Sequence, residues 1–150
     1  MAVAVFAALC FGVSPTSYAQ GTCSMATIAG DWGATLTGTI RLPTGPAPAA
    51  AVLRFHVSSS GAVSGIEHRN VGGQFVKETL KGTATVNANC VGTATANIYQ
   101  NGILARTVVL SVVYDELSTQ LRMVQQSLTL PDGTEIPVVV TVEGKKLTSE

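Results

Sequence analysis

Few side chains in this chain could do chemistry, and its two histidines are the first to consider. His56 shares the polar face of its segment with Arg54, and His68 lies between Glu67 and Arg69. A metal site built from the histidines would need Glu67 as a further ligand. Successive strand residues point to opposite faces, however, so Glu67 points away from His68. We therefore expect solvated surface histidines and name no metal ligand.

The sequence also gives little support for the motifs of nucleophilic and acid–base catalysis. No serine lies in a Gly-x-Ser-x-Gly motif, and a Ser-His-Asp arrangement would need a histidine near Asp31, Asp115 or Asp132. A carboxylate pair would need Glu78 and a second inward carboxylate, which the sequence does not identify. The glycine-rich spacings fall at turns and not before a helix N-terminus, so they do not indicate phosphate binding. The sequence therefore supplies no catalytic residue and no cofactor site.

The overall charge argues against two classes of partner. Nine basic and nine acidic side chains cancel, which gives a formal net charge of +0. A chain without excess positive charge lacks the electrostatic footprint of a protein that binds nucleic acid or an anionic membrane. Charged residues make up 12% of the chain while Thr, Val, Ala and Gly are abundant, a mixture that favours strands joined by tight turns.

The N-terminus has the pattern of a secretory signal peptide. An apolar run over residues 2–13 is followed by Ser-Pro, and Ser17 and Ala19 then offer small residues at the positions that a signal peptidase inspects. The run is too short to span a bilayer as a helix, and a buried N-terminal helix is the alternative. We predict a signal peptide over residues 1–19 and one secreted or periplasmic domain over residues 20–150, without a transmembrane segment in the mature chain.

The cysteine count points to an oxidising compartment. Cleavage after residue 19 removes Cys10 and leaves Cys23 and Cys90, an even number in an exported chain. One disulfide between them is the simplest interpretation, and a loop of this length is worth about 4 kcal/mol in the chain-entropy treatment. A redox or metal pair is the rival, but neither cysteine lies in a Cys-x-x-Cys motif or near a histidine.

Alternation of apolar and polar residues predicts strands along the mature chain. From Trp32 to Leu42 the even positions are apolar or small, and most odd positions carry Thr or Arg. Turn signals such as Asn-Gly separate these runs, and three prolines predict a loop over residues 43–48. The predicted strands cover residues 31–42, 50–57, 62–71, 76–88, 91–99, 103–115, 119–130 and 134–147.

Sequential antiparallel strands with one apolar face favour an eight-stranded up-and-down β-barrel, because closure buries that face and removes the sheet edges. An all-β sandwich of the same strands is the alternative, although short hairpin turns leave little room for its crossovers. The apolar phase of the seventh strand shifts across Gln125 and Gln126, which predicts a bulge. The sixth strand is apolar on both faces, so we expect its outer face to be covered by the N-terminal segment or by another subunit.

The expected barrel interior is the remaining place for a site. A barrel of this size is just wide enough to be filled by side chains or to hold one small ligand. Glu78 is the polar exception on an apolar face, which places it near a barrel mouth. The residues that could line or plug the interior are Trp32, Leu36, Phe55, Glu78, Tyr99 and Tyr114. A filled core and a ligand pocket are both compatible with this set.

Three segments of the mature chain carry a combined pattern: CSMATIAGDWGATLTGTI, SSSGAVSG and GTATVNANCVGTATA. Their motifs are Cys-Ser, Gly-x-Trp-Gly, Gly-x-Val-Ser-Gly and Thr-Val-x-x-x-Cys-x-Gly-Thr. This pattern resembles that of a group of uncharacterised small secreted bacterial β-barrel-like proteins. The resemblance implies a secreted barrel with Cys23 paired to Cys90, and it implies no catalytic residue. In strand count such barrels are similar to lipocalins and to allene-oxide cyclases, which is a likeness of fold alone.

Three classes of function are open to such a chain. The first is a secreted barrel that binds a small apolar molecule without chemistry. The second is an isomerase or cyclase that shapes its substrate inside the barrel and needs few polar groups. The third is a structural or partner-binding module of the envelope, either monomeric or oligomeric. A filled interior would exclude the first two classes, because both require a cavity.

Overall fold

The computed structural model describes residues 22–148, and the predicted signal peptide over residues 1–19 lies outside that range. One short helix, α1, precedes eight strands in the described chain. Helix α1 covers Met25–Ile28, and the strands are β1 (Gly30–Leu42), β2 (Gly45–Val57), β3 (Ala62–Val71), β4 (Gln74–Val86), β5 (Val91–Gln100), β6 (Ile103–Tyr114), β7 (Gln120–Thr129) and β8 (Val138–Lys146).

The strands form one closed barrel. Each strand pairs antiparallel with the next along the chain, and β8 pairs with β1 to complete the cylinder. The prediction of an eight-stranded up-and-down barrel is therefore confirmed, and the sandwich is not the architecture of this chain. Closure gives every strand two neighbouring partners, although the β7–β8 ladder is short and covers only Gln120 to Val124 of β7.

The predicted loop over residues 43–48 is wrong in its second half, because β2 begins at Gly45 and includes Pro46 and Pro48. Both prolines pair with β1 but lie beyond the end of the β3 ladder. The carbonyl group of Pro48 accepts from the N–H of Gly72 on the β3 side, and the N–H of a strand residue points to the same side as its C=O. The missing donors therefore cost no hydrogen bond with β1, which is why a strand tolerates both prolines here.

A bulge in β7 confirms the predicted shift of phase. Ser127 pairs with Val109 and Gln125 pairs with Leu110, so Gln126 is left out of the β6–β7 register. The extra residue returns the apolar side chains that follow it to the interior of the barrel.

Glycines on the inward face allow neighbouring strands to approach closely. A β-carbon added at Gly38, Gly65, Gly82 or Gly92 would collide with the backbone of a neighbouring strand. At Gly82 the colliding atom is the carbonyl oxygen of Thr95. Barrel closure in this chain therefore depends on positions without a side chain, which is a common use of glycine in tightly coiled strands.

The segment before β1 covers the end of the barrel at which β1 begins, which we call the sealed end. Ser24 and Thr27 form a capping box around the single turn of α1. Ile28 is fully buried, and its carbonyl group accepts from the indole N–H of Trp32 at 3.0 Å. Lys146, at the end of β8, donates to the carbonyl oxygen of Thr27 at 2.7 Å. A helix of four residues is too short to show a helical period, so the sequence pattern did not reveal it.

The disulfide between Cys23 and Cys90 confirms the predicted pairing. The sulfur atoms are 1.99 Å apart and the two Cα atoms 5.0 Å apart. The bridge ties the segment before α1 to the turn between β4 and β5. Ser118, in the turn between β6 and β7, donates to the hydroxyl oxygen of Thr27 at 3.1 Å. Covalent and polar contacts from several turns therefore hold the segment over the sealed end.

Candidate functional site

An internal cavity of ≈ 90 Å³ lies within the barrel. All eight strands contribute to its walls, and most of the lining side chains are aliphatic or aromatic. Ala84 and Ala94 lie opposite each other in the β4–β5 ladder and leave space that larger side chains would occupy. The interior is therefore not filled by its own side chains, so both functions that require a cavity remain open.

Three of the residues predicted to line the interior, Leu36, Phe55 and Tyr114, do border the cavity. Trp32 lies next to them and is fully buried. Its ring meets the ring of Tyr114 edge to face with centroids 5.8 Å apart, while its indole N–H reaches the carbonyl group of Ile28. Trp32 therefore fills the space between the cavity and α1.

Tyr99 does not border the cavity. It lies opposite Thr79 in the β4–β5 ladder and next to Ile98, whose buried side chain points inward. Because side chains alternate along a strand, Tyr99 is on the outer face with Thr79.

Glu78 is deeply buried and belongs to a group of four charged side chains inside the barrel. We call this group the charged cluster, and its members are Glu67 and Arg69 on β3, Glu78 on β4 and Arg106 on β6. Arg106 donates from Nη1 to Oε1 of Glu78 at 2.7 Å and from Nη2 to Oε2 of Glu78 at 3.0 Å. Arg69 donates from Nε to Oε2 of Glu78 at 3.0 Å. Glu78 is thus held between two guanidinium groups.

Burial by itself would raise the pKa of Glu78. The hydrogen bonds and positive charges of Arg106 and Arg69 outweigh burial and hold the pKa of Glu78 below its ordinary value. Glu78 therefore stays ionised, its charge is compensated by the two arginines, and both of its oxygens accept hydrogen bonds from them.

Glu67 has a different environment, because it borders the cavity as well as the charged cluster. Arg106 donates from Nη2 to Oε2 of Glu67 at 3.0 Å. Burial raises the pKa of Glu67, and the attraction of Arg106 offsets this only in part because the charge of Glu78 opposes it. No group in residues 22–148 donates a hydrogen bond to the other carboxylate oxygen, Oε1. Oε1 is not fully enclosed by protein atoms, so this buried residue has one carboxylate oxygen available to a ligand in the cavity.

The sequence reasoning did not identify Arg69 and Arg106 as interior residues. Alternation carries a signal for both, since Arg69 has the same parity as Val63 and Glu67 on β3, and Arg106 has the same parity as Val108 on β6. The pattern of one strand is ambiguous by itself. A charged side chain on an apolar face is expected inside the barrel only if another strand places an opposite charge at the same level along the barrel axis.

The wall of the cavity has a weak point between β7 and β8. Within the described residues the β7–β8 pairs run from Gln120 to Val124, and contact between the two sides resumes only where Ile136 donates to the carbonyl oxygen of Leu128 at 2.8 Å. Gln125, which borders the cavity, lies at this interruption. Its Nε2 donates to the carbonyl oxygen of Ser127 at 3.0 Å.

The histidines lie outside the barrel. His56 Nδ1 is 2.9 Å from Oδ1 of Asp31, and both side chains are about half exposed. Ser64 lies opposite His56 in the β2–β3 ladder, yet no hydrogen bond joins the two side chains in the described chain. His68 meets the ring of Phe75 edge to face at 6.1 Å. These contacts form neither a nucleophile activated by histidine nor, within residues 22–148, a group of three side chains placed to hold a metal ion.

Comparison with known proteins adds no relative to this description. No protein-family model matches the chain, and no curated protein matches it significantly. Within residues 22–148, no helix has the length and apolar character needed to cross a membrane.

Proposed function

We propose that this domain binds a small, mostly apolar molecule inside its barrel. The observation that carries the proposal is the apolar cavity of ≈ 90 Å³ that all eight strands enclose. One water molecule needs about 15 Å³ of such space, so the cavity has room for roughly six water-sized groups. An empty cavity of this size costs on the order of 2 kcal/mol at about 24 cal/mol per Å³. An occupant that restores the lost contacts offsets this cost.

We further propose that the domain works outside the cytoplasm, either secreted or in a periplasm. The Cys23–Cys90 disulfide supports this location, because such bonds persist in oxidising compartments. The signal-peptide pattern over residues 1–19 agrees with it.

Access to the cavity fits the interruption between β7 and β8. Helix α1 and the disulfide cover the sealed end, and the charged cluster occupies the interior toward the other end. Gln125 borders the cavity at the end of the β7–β8 ladder, which is the shortest ladder of the barrel. Local opening of such a segment costs less than opening a fully paired ladder.

Native mass spectrometry of the protein purified from its own host tests the proposal directly. The wild-type protein is expected to carry a small-molecule adduct that denaturation releases. Ala94→Leu adds side-chain volume inside the cavity and is expected to remove the adduct. Ala50→Leu makes the same change on the exposed outer face of β2, so it is the matched control and should keep the adduct.

Binding of a defined probe completes the test. Methyl pentyl ether is a neutral molecule of suitable size, and it should shift the methyl resonances of Met123 and Leu36, which border the cavity. The proposal fails if the wild-type protein carries no adduct and the ether leaves these resonances unchanged.

An isomerase or cyclase acting inside the barrel is the second candidate. It is supported by Glu67, whose carboxyl group faces the cavity and whose pKa is raised by burial. A carboxylate with a raised pKa is a stronger base than a solvated one, so it can serve in proton transfer. The two candidates differ in the fate of the ligand. A pure binder returns its ligand unchanged, whereas an enzyme converts it, and Glu67→Gln abolishes that conversion because an amide does not transfer the proton.

A structural or partner-binding role is the third candidate, and it concerns the outer surface. Ile103 and Val113 on β6 are 73% and 53% exposed, which agrees with the expectation that β6 is apolar on both faces. We propose that a second copy of the chain or another envelope protein covers this face if the barrel proves to bind no small molecule. Light scattering distinguishes an oligomer from a monomer, and a monomeric mass argues against the oligomeric version.

A further inference from the structure

The acceptor in the cavity is a single oxygen of Glu67. The Glu67 side chain is 3% exposed, and one of its oxygens, Oε2, accepts from Arg106. The other oxygen, Oε1, has no donor among residues 22–148, although Glu67 borders the cavity. Oε1 keeps some accessible surface, since no fully enclosed side-chain oxygen or nitrogen of the described residues lacks a partner. A carboxylate oxygen of a buried residue is costly without a donor, so its place beside the cavity indicates that the donor comes from whatever occupies the cavity.

The charges of the cluster limit what that occupant can be. Glu67 and Glu78 carry two negative charges, and Arg69 and Arg106 carry two positive charges, so the ion-paired cluster is neutral. A cationic ligand would leave one uncompensated positive charge in the interior. An anionic ligand would leave one uncompensated negative charge beside the carboxylate of Glu67. A neutral ligand is the one class that keeps the buried charges balanced.

We propose that the cavity selects a neutral, mostly apolar molecule with one hydroxyl group, which donates its hydrogen to Oε1 of Glu67. This inference rests on the proposed function, because it names the class of ligand that the same cavity takes. The apolar part of the ligand contacts the aliphatic walls, and the hydroxyl group completes the hydrogen bonding of the charged cluster.

Three other polar residues border the cavity, Thr95, Tyr114 and Gln125, and none selects as Glu67 does. Thr95 is exposed on β5, so its side chain points outward. Burial raises the pKa of Tyr114 to about 12, so its phenol is neutral and can either donate or accept. Gln125 donates from Nε2 to the carbonyl oxygen of Ser127, and its amide keeps a second N–H donor and an oxygen acceptor, so it also takes either kind of group. The preference for a donor over a pure acceptor therefore depends on Glu67.

A matched series of probes on the wild-type protein tests the inference. Hexan-1-ol, methyl pentyl ether, hexylammonium and pentanoate are similar in size but differ in donor capacity and charge. Their affinities are measured from the methyl resonances of Met123 and Leu36. Hexan-1-ol is expected to bind roughly tenfold or more tightly than the ether, because a hydrogen bond to a charged acceptor is worth that factor. The two charged probes should bind more weakly than the alcohol.

Glu67→Gln tests the atom that makes the difference. The amide oxygen of the variant remains the acceptor for Arg106, which turns the amide N–H₂ group toward the cavity. The cavity then presents a donor, so the preference for hexan-1-ol over the ether should fall below about threefold. Glu143→Gln, an exposed carboxylate on β8, is the matched control and should leave the preference unchanged.

The outcomes separate the inference from the proposed function. Equal affinity for hexan-1-ol and the ether, or tightest binding of hexylammonium or pentanoate, overturns the hydroxyl assignment while cavity binding stands. No binding of any probe overturns both. Because the wild-type series alone decides these outcomes, the test does not depend on the folding of Glu67→Gln.

Discussion

Arg106 donates two hydrogen bonds to Glu78, from Nη1 to Oε1 at 2.7 Å and from Nη2 to Oε2 at 3.0 Å. The two residues lie on β6 and β4, which are not neighbours because β5 runs between them. The contact therefore crosses the barrel interior above the inward face of β5. A bidentate pair of this kind has a demanding geometry, so it restricts how β4 and β6 are staggered relative to each other.

Removal of Arg106 should destabilise the barrel strongly. Arg106→Met takes away the donors of Glu67 and half of those of Glu78, which leaves buried carboxylates poorly compensated. We expect the free energy of unfolding in urea at neutral pH to fall by about 3–5 kcal/mol.

Arg41→Met is the control, because Arg41 is exposed on β1 and its change should stay within about 0.5 kcal/mol. Addition of Glu67→Gln to Arg106→Met should recover part of the loss, since it removes one orphaned charge. Equal stability of Arg106→Met and wild type would show that the charged cluster does not hold the barrel together.

The pH dependence of stability should carry opposite signatures of Glu67 and Glu78. The pKa of Glu67 is raised above its ordinary value of 4.5, so the folded state binds this proton more tightly and the associated stability declines as pH rises through the raised pKa. The pKa of Glu78 is lowered. The stability that Glu78 contributes to the folded protein is therefore present above 4.5 and is lost as pH falls through the lowered pKa.

The measurement is the difference in unfolding free energy between the wild-type protein and each glutamine variant across pH. The wild-type advantage over Glu67→Gln should shrink as pH rises above 4.5, and the advantage over Glu78→Gln should shrink as pH falls below it. Acids outside the charged cluster, such as Asp115, titrate alike in both members of each comparison and cancel. If the wild-type advantage over both glutamine variants changed with pH in the same direction, the environments assigned to Glu67 and Glu78 would be contradicted.

Loss of the disulfide should reduce stability without changing the fold. The bridge joins residues 67 positions apart, and replacement of both Cys23 and Cys90 by Ser is expected to cost about 4 kcal/mol in chemical denaturation. Reduced wild-type protein should unfold at the same denaturant concentration as the double variant. The double variant itself should not respond to reductant, and a response would mean that the lost stability has another source.

Gly82→Ala should disturb the wall of the barrel. Its β-carbon would collide with the carbonyl oxygen of Thr95 in the adjacent strand, so backbone has to move, at a cost of about 1–3 kcal/mol or more. Gly33→Ala is the matched control, because its β-carbon meets the flexible end of Leu147 at 3.2 Å and not backbone. Thermal unfolding should separate the two variants clearly, and similar midpoints would mean that close strand approach at Gly82 is unimportant.

Much of the barrel can be predicted from the chain because each strand carries its own local signal. Alternation in β1 assigns Trp32 and Ile40 to the interior. The phase shift near Gln126 predicts the bulge without any knowledge of the partner strand. Both signals depend on neighbours along the chain. The prediction of a loop at the two prolines of β2 was wrong, because a proline in a strand loses a hydrogen bond only where a neighbouring strand faces its nitrogen. Here the β3 ladder ends before it reaches them.

The site is less predictable, because it depends on contacts between distant strands. Glu78 was recognised as a polar residue on an apolar face, but its partner Arg106 is 28 residues away and on a strand that does not pair with β4. Tyr99 is one of the residues that the sequence offers as a possible lining of the interior, although it occupies the outward position next to Ile98. The contact between Glu78 and Arg106 cannot be read from one strand alone, whereas the outward position of Tyr99 follows from alternation along β5.

The amino-acid sequence by itself indicated most of the strands, their inward sides and the pairing of Cys23 with Cys90. Periodicity and turn residues act locally, and Cys23 and Cys90 are the two cysteines that lie beyond the predicted signal peptide. The tertiary structure alone decided which inward side chains meet and whether the barrel is hollow. Those properties depend on the stagger of all eight strands around the cylinder. That stagger brings Glu67 beside Arg106 and leaves the small side chains of Ala84 and Ala94 facing open space.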